Sequence, residues 1–263
     1  HPAIEHLRKI YHYERDLDEE LCRRMASGYF GLVTHLDEQI GQVMAHADSL
    51  GLLGNTQIIY TSDHGENFGH LGLIGKSQLY EPAAAVPLLM AGVGIPTGRT
   101  VRQISSHVDL LPTLLEGTQV PLPVEATGLH GVSLWPAMRG DERERLGFAE
   151  YHAACSKNAM FMLRDGTQKL VYHVDFPNQL FDLAKDPHEL QDLHGTPAGA
   201  ATEARLEAKL REILDPETTD ARAKADQLMH VEKNGGEQAI RDRGYFPYSP
   251  PPGDEADFHG QGG

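Results

Sequence analysis

Between Asp16 and Leu50 the apolar residues Leu21, Met25, Phe30, Val33, Leu36, Ile40, Val43, Ala47 and Leu50 recur at steps of three to five. That drifting stripe predicts one long amphipathic helix. Asp16 or Asp18 can cap its start, and acidic residues in the first turn suit the helix dipole. "LGLLGN" ends it, with Gly51 or Gly54 as the stopping glycine. The period then changes. "TQIIYTS" is short and rich in β-branched and aromatic residues, which predicts a buried strand, and "VPLLMAG" (residues 86–92) predicts another, closed by the turn signals of "GVGIPTGR". A helix feeding a nearly continuous apolar strand is the rhythm of a parallel α/β sheet. "VRQIS" then leads into a short helix over "HVDLLPTLLEG", with Asp109 near its start and Pro112 in the first turn.

After Arg139 the texture shortens. "GFAEYH", "AMFMLRDG", "QKLVYHV" and "NQLFDL" read as strands of a small antiparallel sheet, with "RDG" as a hairpin turn. "ATEARLEAKLREIL" reads as a helix packed on that sheet, and the proline-rich end "GYFPYSPPPGDEADFHGQGG" has no helical period. The expected organisation is therefore an α/β region over residues 1–140, an antiparallel-sheet subdomain with its helix over 141–214, and a Pro/Gly-rich tail over 215–263.

Charge narrows the partners. There are 23 Lys and Arg against 38 Asp and Glu, a formal charge of −15. A surface this acidic argues against nucleic-acid and anionic-membrane partners, and it obliges an anionic substrate to be captured by local positive charge. Cys22 and Cys155 have neither CxxC nor zinc-type spacing, and no apolar run reaches membrane-spanning length. The chain opens on His1 with no signal-peptide pattern, so localisation is not read from this end, and processing, trimming or a fragment is expected.

The chemistry concentrates in "IIYTSDHGENFGHLGLIGK", where a strand runs into Asp, His, Glu, His and Lys among four glycines. Ligands of open α/β sheets bind beyond the carboxyl ends of the strands, and "TSDHGE" lies there. Asp63 and His64 can converge on one divalent ion across the turn at Gly65, with further ligands needed from elsewhere. Lys76, thirteen residues after Asp63, can return over the glycine-spaced loop to neutralise an oxyanion. His70 can donate a hydrogen bond or act as general acid, and Glu66 can orient His64 or Lys76. The same residues also suit an ordinary polar turn with a surface lysine, and both readings stay open at this level.

The order of motifs "T-x-I-I-Y-T-S-D-H-G-E", "G-L-x-G-K-S-x-x-Y-E" and "V-P-L-L-M-A-G" resembles the formylglycine-dependent sulfatase family of the alkaline phosphatase superfamily. "GYFGLVTHLDEQIGQVM" looks like that family's long helix, "HVDLLPTLLEG" like its Asp-x-x-Pro-Thr helix, and "QLFDLAKDPHELQDL" like its later signature. The likeness runs from Tyr29 to Leu193 and leans towards the choline-sulfatase and arylsulfatase-like branch. It implies an alkaline-phosphatase-like, mostly parallel sheet flanked by helices. It implies Asp63 and His64 as metal ligands for one Ca2+ or Mn2+, and Lys76 as the group binding sulfate and its leaving oxygen. His70 has no universal counterpart in that family, so its catalytic or substrate-contact role rests on its place in the loop; "AEYH" resembles a segment near the substrate pocket and puts His152 there, with a core or strand-edge role for His152 kept open.

The departures carry as much. The family's C/S-x-P-x-R motif, the source of formylglycine, is not in this sequence, and neither are the first acidic ligands. The resemblance therefore implies a carboxyl-terminal half whose partners are a small sulfate-ester substrate and the missing amino-terminal half. The chain alone is expected to be inactive. The tail is expected to make surface or homo-oligomer contacts. Two alternatives stand beside the sulfuric ester hydrolase: a phosphate or phosphonate ester hydrolase of the same superfamily, and a non-catalytic binding subunit.

Overall fold

A computed structural model describes residues 1–10, 17–121, 128–153 and 156–244. It divides into two units, His1–Ile213 and Leu214–Gly263.

The first unit begins with α1 (Pro2–Ile10), which the sequence reading did not anticipate. Ile4 and Leu7, one turn apart, bury themselves with Leu73, Leu79, Tyr80, Met160, Val171 and Phe181. The long helix α2 runs Glu19–Ser49, and Asp18 is its cap, accepting from the Leu21 N–H at 2.7 Å. Asp16 lies outside the described residues. Leu50 ends the helix, followed by Gly51 at φ +69°, the left-handed residue that such endings favour.

The strands β1 (Gln57–Thr61) and β2 (Leu88–Gly92) pair antiparallel, Gln57 opposite Gly92. The α/β class stands, but the parallel rhythm does not describe this pair. A parallel return needs a long crossover, usually helical. The 62–87 connection holds a 3-10 turn (His70–Gly72) and the four-residue helix α3 (Glu81–Ala84), and spends the rest of its length on the loop with Lys76. After β2, α4 (Leu110–Gly117) follows a single 3-10 turn, with Ser106 and Asp109 bonding reciprocally as a capping box. Asp109 also receives both guanidinium nitrogens of Arg145, at 2.7 and 3.0 Å, and the Val132 N–H. Burial raises its pKa, yet these hydrogen bonds together hold it below the usual value. In α5 (Trp135–Arg139), Trp135 donates to the Thr113 carbonyl and packs with Ile95 and Met138.

The strands β3 (Leu146–Tyr151), β4 (Met160–Asp165), β5 (Gln168–His173) and β6 (Gln179–Asp182) form an antiparallel meander. Gly166, at φ +59°, makes the tight turn between Asp165 and Gln168. Helix α6 (Ala200–Ile213) packs on β4 and β5 and buries Leu206 and Leu210.

The second unit holds α7 (Pro216–Lys233) and α8 (Gly236–Arg243). Two helices joined by a turn at Asn234 and Gly235 thus stand where a tail was expected. Asp215 caps α7 through the Thr218 N–H, and Pro216 occupies the first helical turn, where proline is pre-set for the helix. The remainder of the expected tail lies outside the described residues. Among those described, no helix is long and apolar enough to cross a membrane.

Candidate active site

The site begins where β1 stops. Asp63 accepts from the His64 N–H at 2.9 Å, and Ser62 Oγ donates to the His64 carbonyl at 2.9 Å, which folds the chain into a tight turn. The His64 backbone bond is the first cause holding the exposed Asp63 carboxyl below its usual pKa. His64 Nδ1 lies 3.0 Å from the Gly65 carbonyl. A carbonyl oxygen only accepts, so Nδ1 carries the proton and Nε2 is left to face Asp63 Oδ2 at 3.2 Å. Two lone-pair-bearing atoms at that distance want a shared cation, a proton or a metal ion. A histidine fixed by a backbone carbonyl on its far nitrogen is the usual arrangement of a metal ligand. The donors therefore fit a divalent ion as two of its ligands. Among the described residues no group of three or more His, Cys, Asp or Glu is arranged to hold one. His107, which the sequence reading passed over, donates through Nε2 to the Ser62 carbonyl at 2.7 Å and steadies the strand end.

The loop after the turn doubles back. The Asn67 N–H and its side-chain amide both reach the Gly75 carbonyl, at 3.0 and 2.6 Å, while Glu66 Oε1 accepts from the Gly75 N–H. The root of Lys76 is thereby returned to residues that follow His64 by only two and three positions. Lys76 itself is exposed, and its ammonium makes no hydrogen bond or ion pair among the described residues.

A brace from the antiparallel sheet holds the turn from behind. Gly65 donates to the Ala83 carbonyl at 2.8 Å, and a Cβ at Gly65 would lie 2.0 Å from the Pro82 carbonyl oxygen, so only glycine lets α3 come this close. Helix α3 is anchored by Glu81, which meets the buried Lys169 ammonium at 2.8 Å and Arg164 at 3.2 Å. Lys169 also pairs with the buried Glu189 at 2.8 Å, and Glu189 accepts from the Glu81 N–H at 2.6 Å. Burial is the first cause raising the Glu189 pKa, against the pull of Lys169. Between this cluster and the strand end lies a cleft of about 330 Å³, lined by Thr61, Glu81, Arg102, Ser106, His107 and Arg164 among others.

The other sequence candidates are seated among other neighbours. The His70 ring lies edge-on to Tyr80, 6.0 Å between centroids. Desolvation lowers its pKa first, then the charge of His188; none of the groups that shift it is Asp63 or His64. His152 directly follows β3, with Nε2 3.3 Å from Glu150 and its ring edge-on to Phe161 at 5.3 Å. Cys22 is a free thiol near Gly69, and Cys155 lies outside the described residues.

Residues 5–120 match the Sulfatase family, and residues 69–215 match the family described as N-sulphoglucosamine sulphohydrolase, C-terminal. The choline-sulfatase of Rhizobium meliloti (strain 1021) is 34% identical over 241 residues, covering 90% of this chain and 46% of that protein. A protein solved in complex with its substrate D-glucosamine-2-N,6-O-disulfate aligns at TM-score 0.63 and 28% identity, over 69% of this chain and 38% of that one. The phosphonate monoester hydrolase of Agrobacterium radiobacter aligns at TM-score 0.67 and 29% identity, over 75% of this chain and 42% of that one. The chain belongs to the sulfatase family of the alkaline phosphatase superfamily. Members of this family generally use a metal ion and formylglycine. The chain spans about half or less of the length of the curated relatives it matches.

Proposed function

We propose that this chain is the carboxyl-terminal half of a sulfate-ester hydrolase, and that an amino-terminal half brings the nucleophile and the remaining metal ligands. The observation that carries the reading is the Asp63–His64 pair, its Oδ2 and Nε2 facing each other across 3.2 Å at the end of β1 in a chain of this family. The Asp63 carboxylate and His64 Nε2 would hold a divalent ion, which polarises the sulfate oxygens and favours attack at sulfur. An imidazole ligand suits manganese better than calcium, but the family resemblance admits both. Lys76, whose ammonium has no hydrogen-bond or ion-pair partner among the described residues, would meet the sulfate oxygens and the departing alkoxide as they gather negative charge. In a chain of charge −15 this local cation is what draws the anion in. His70 and His152 receive no step, because their rings are seated against Tyr80 and Phe161. Formylglycine would supply a hydrated aldehyde as nucleophile; with no C/S-x-P-x-R motif in this chain, no residue here is given that role.

The test compares aryl sulfate, aryl phosphate and phosphonate monoester turnover by the enzyme with both halves present. Sulfate turnover should lead, chelation should abolish it, and Asp63→Ala should lower kcat/KM by about a thousandfold. Phosphoryl turnover equal to or above sulfate turnover would sink the sulfatase reading. It would favour the second reading, a phosphonate ester hydrolase, which the likeness to the Agrobacterium enzyme supports. Turnover by this chain alone would overturn the two-half arrangement.

A further inference from the structure

Lys76 stands between two residues in the left-handed region, Gly75 at φ +77° and Ser77 at φ +84°. Glycine accepts that conformation freely, but serine holds it only where the surroundings leave no alternative. The surroundings here are specific. Glu66 Oε1 gathers the N–H groups of Asn67, Phe68 and Gly75, and Asn67 binds the Gly75 carbonyl twice. Gly75, the residue before Lys76, is thus gripped on both sides, at its N–H by Glu66 and at its carbonyl by Asn67. Asn67 is itself fixed by Gln78, whose amide donates to Asn67 Oδ1 at 2.7 Å while its oxygen accepts from the Tyr80 N–H. Asn67, Ser77 and Gln78 are all buried, whereas Lys76 projects into water. A surface lysine with no electrostatic duty does not need a buried carboxamide pair, a carboxylate and a strained serine beneath it.

We propose that Glu66 is the positioning residue for Lys76, its carboxylate acting through the Gly75 peptide to hold the ammonium at the anion site before substrate arrives. This rests on the reading above that Lys76 binds the anion. Glu66 touches neither substrate nor metal in this scheme. A carboxylate suits the task because it only accepts, and its hydrogen bonds to N–H groups are stronger than those of a neutral acceptor.

The test is a double-mutant cycle in the whole enzyme, read by calorimetric binding of inorganic sulfate and by aryl sulfate turnover. Glu66→Ala and Lys76→Ala should each weaken sulfate binding by about tenfold, and the double variant should be no weaker than Lys76→Ala alone. Glu66→Gln, which keeps an acceptor oxygen in place, should stay within about threefold of the parent. Glu66→Asp keeps the charge but withdraws it by one methylene; it should behave as the alanine variant does, and it carries the cycle if that variant does not fold. Independent, multiplicative losses would overturn the proposal, as would parental sulfate affinity in Glu66→Ala. Failure of the function reading looks different: sulfate esters would not be turned over, while the coupling between Glu66 and Lys76 in anion binding persisted.

Discussion

Phe161, Leu163, Leu170 and Leu180 in the antiparallel sheet are closed off from water, and Leu206 and Leu210 of α6 complete their cover. Helix α2 has as strong an apolar stripe and buries none of its 31 residues, with Phe30 66% and Leu32 69% exposed. Each large side chain left in water forgoes roughly 1.5–3 kcal/mol of burial. Beside the helix, Val33, Leu36, Ile40 and Met44 face Ile58, Tyr60 and Leu89 across an open apolar cleft of about 440 Å³. Leu111 and Leu114 of α4 are exposed as well. The difference teaches that the two regions solve different problems. The sheet with α6 is a finished core. The long helix and the β1–β2 pair form an apolar face of the kind that marks an interaction surface, and the amino-terminal half proposed above would cover it.

The comparison can be broken first in the closed region. Phe161→Ala should lower the unfolding free energy by about 3–5 kcal/mol, followed by denaturant titration, because its neighbours cannot collapse into the space. Removing Lys169 tests the same region by charge. Lys169→Ala leaves Glu81 and Glu189 without their buried cation, and a loss of about 3–5 kcal/mol is expected, with loosening of the Asp63–His64 turn that α3 braces.

Acid gives a somewhat smaller effect. His173 is buried and hydrogen-bonded to Gln179, and burial is the main cause lowering its pKa to about 4. A depressed histidine pKa means the unfolded chain binds the proton first. Its stabilising share is therefore complete above the ordinary value of about 6.5 and is lost as pH falls towards 4, by roughly 3 kcal/mol. Unfolding curves of His173→Gln against the parent from pH 7 to pH 4 would show it; parallel losses in both proteins would refute the assignment.

The smallest effect sharpens the contrast most. Leu32→Ala on α2 should change the stability of the isolated chain by no more than about 0.5 kcal/mol, since that side chain is already mostly in water. A loss comparable to that of Phe161→Ala would mean that the face is already covered in solution.

The sequence by itself determined what local physics controls. The 3.6-residue stripe set α2, capping and left-handed preference narrowed its ends to Asp16 or Asp18 and Gly51 or Gly54, and "RDG" set the β4–β5 turn. It also singled out Asp63, His64 and Lys76, because a carboxylate, an imidazole and an ammonium after an apolar strand are legible as chemistry without coordinates. Strand direction was not legible: the same apolar run suits either pairing until the length and content of the connection are known. Helix α1 was missed because its apolar face is short and its partners, such as Leu79 and Phe181, lie far along the chain. Only tertiary structure set His107 beneath Ser62 and brought Lys169 to Glu81 across 88 positions. It alone returned the Gly75 peptide to Glu66 and Asn67. Periodicity and capping are read between neighbours in sequence, whereas a site is made by hydrogen bonds and charges whose partners are neighbours only in space.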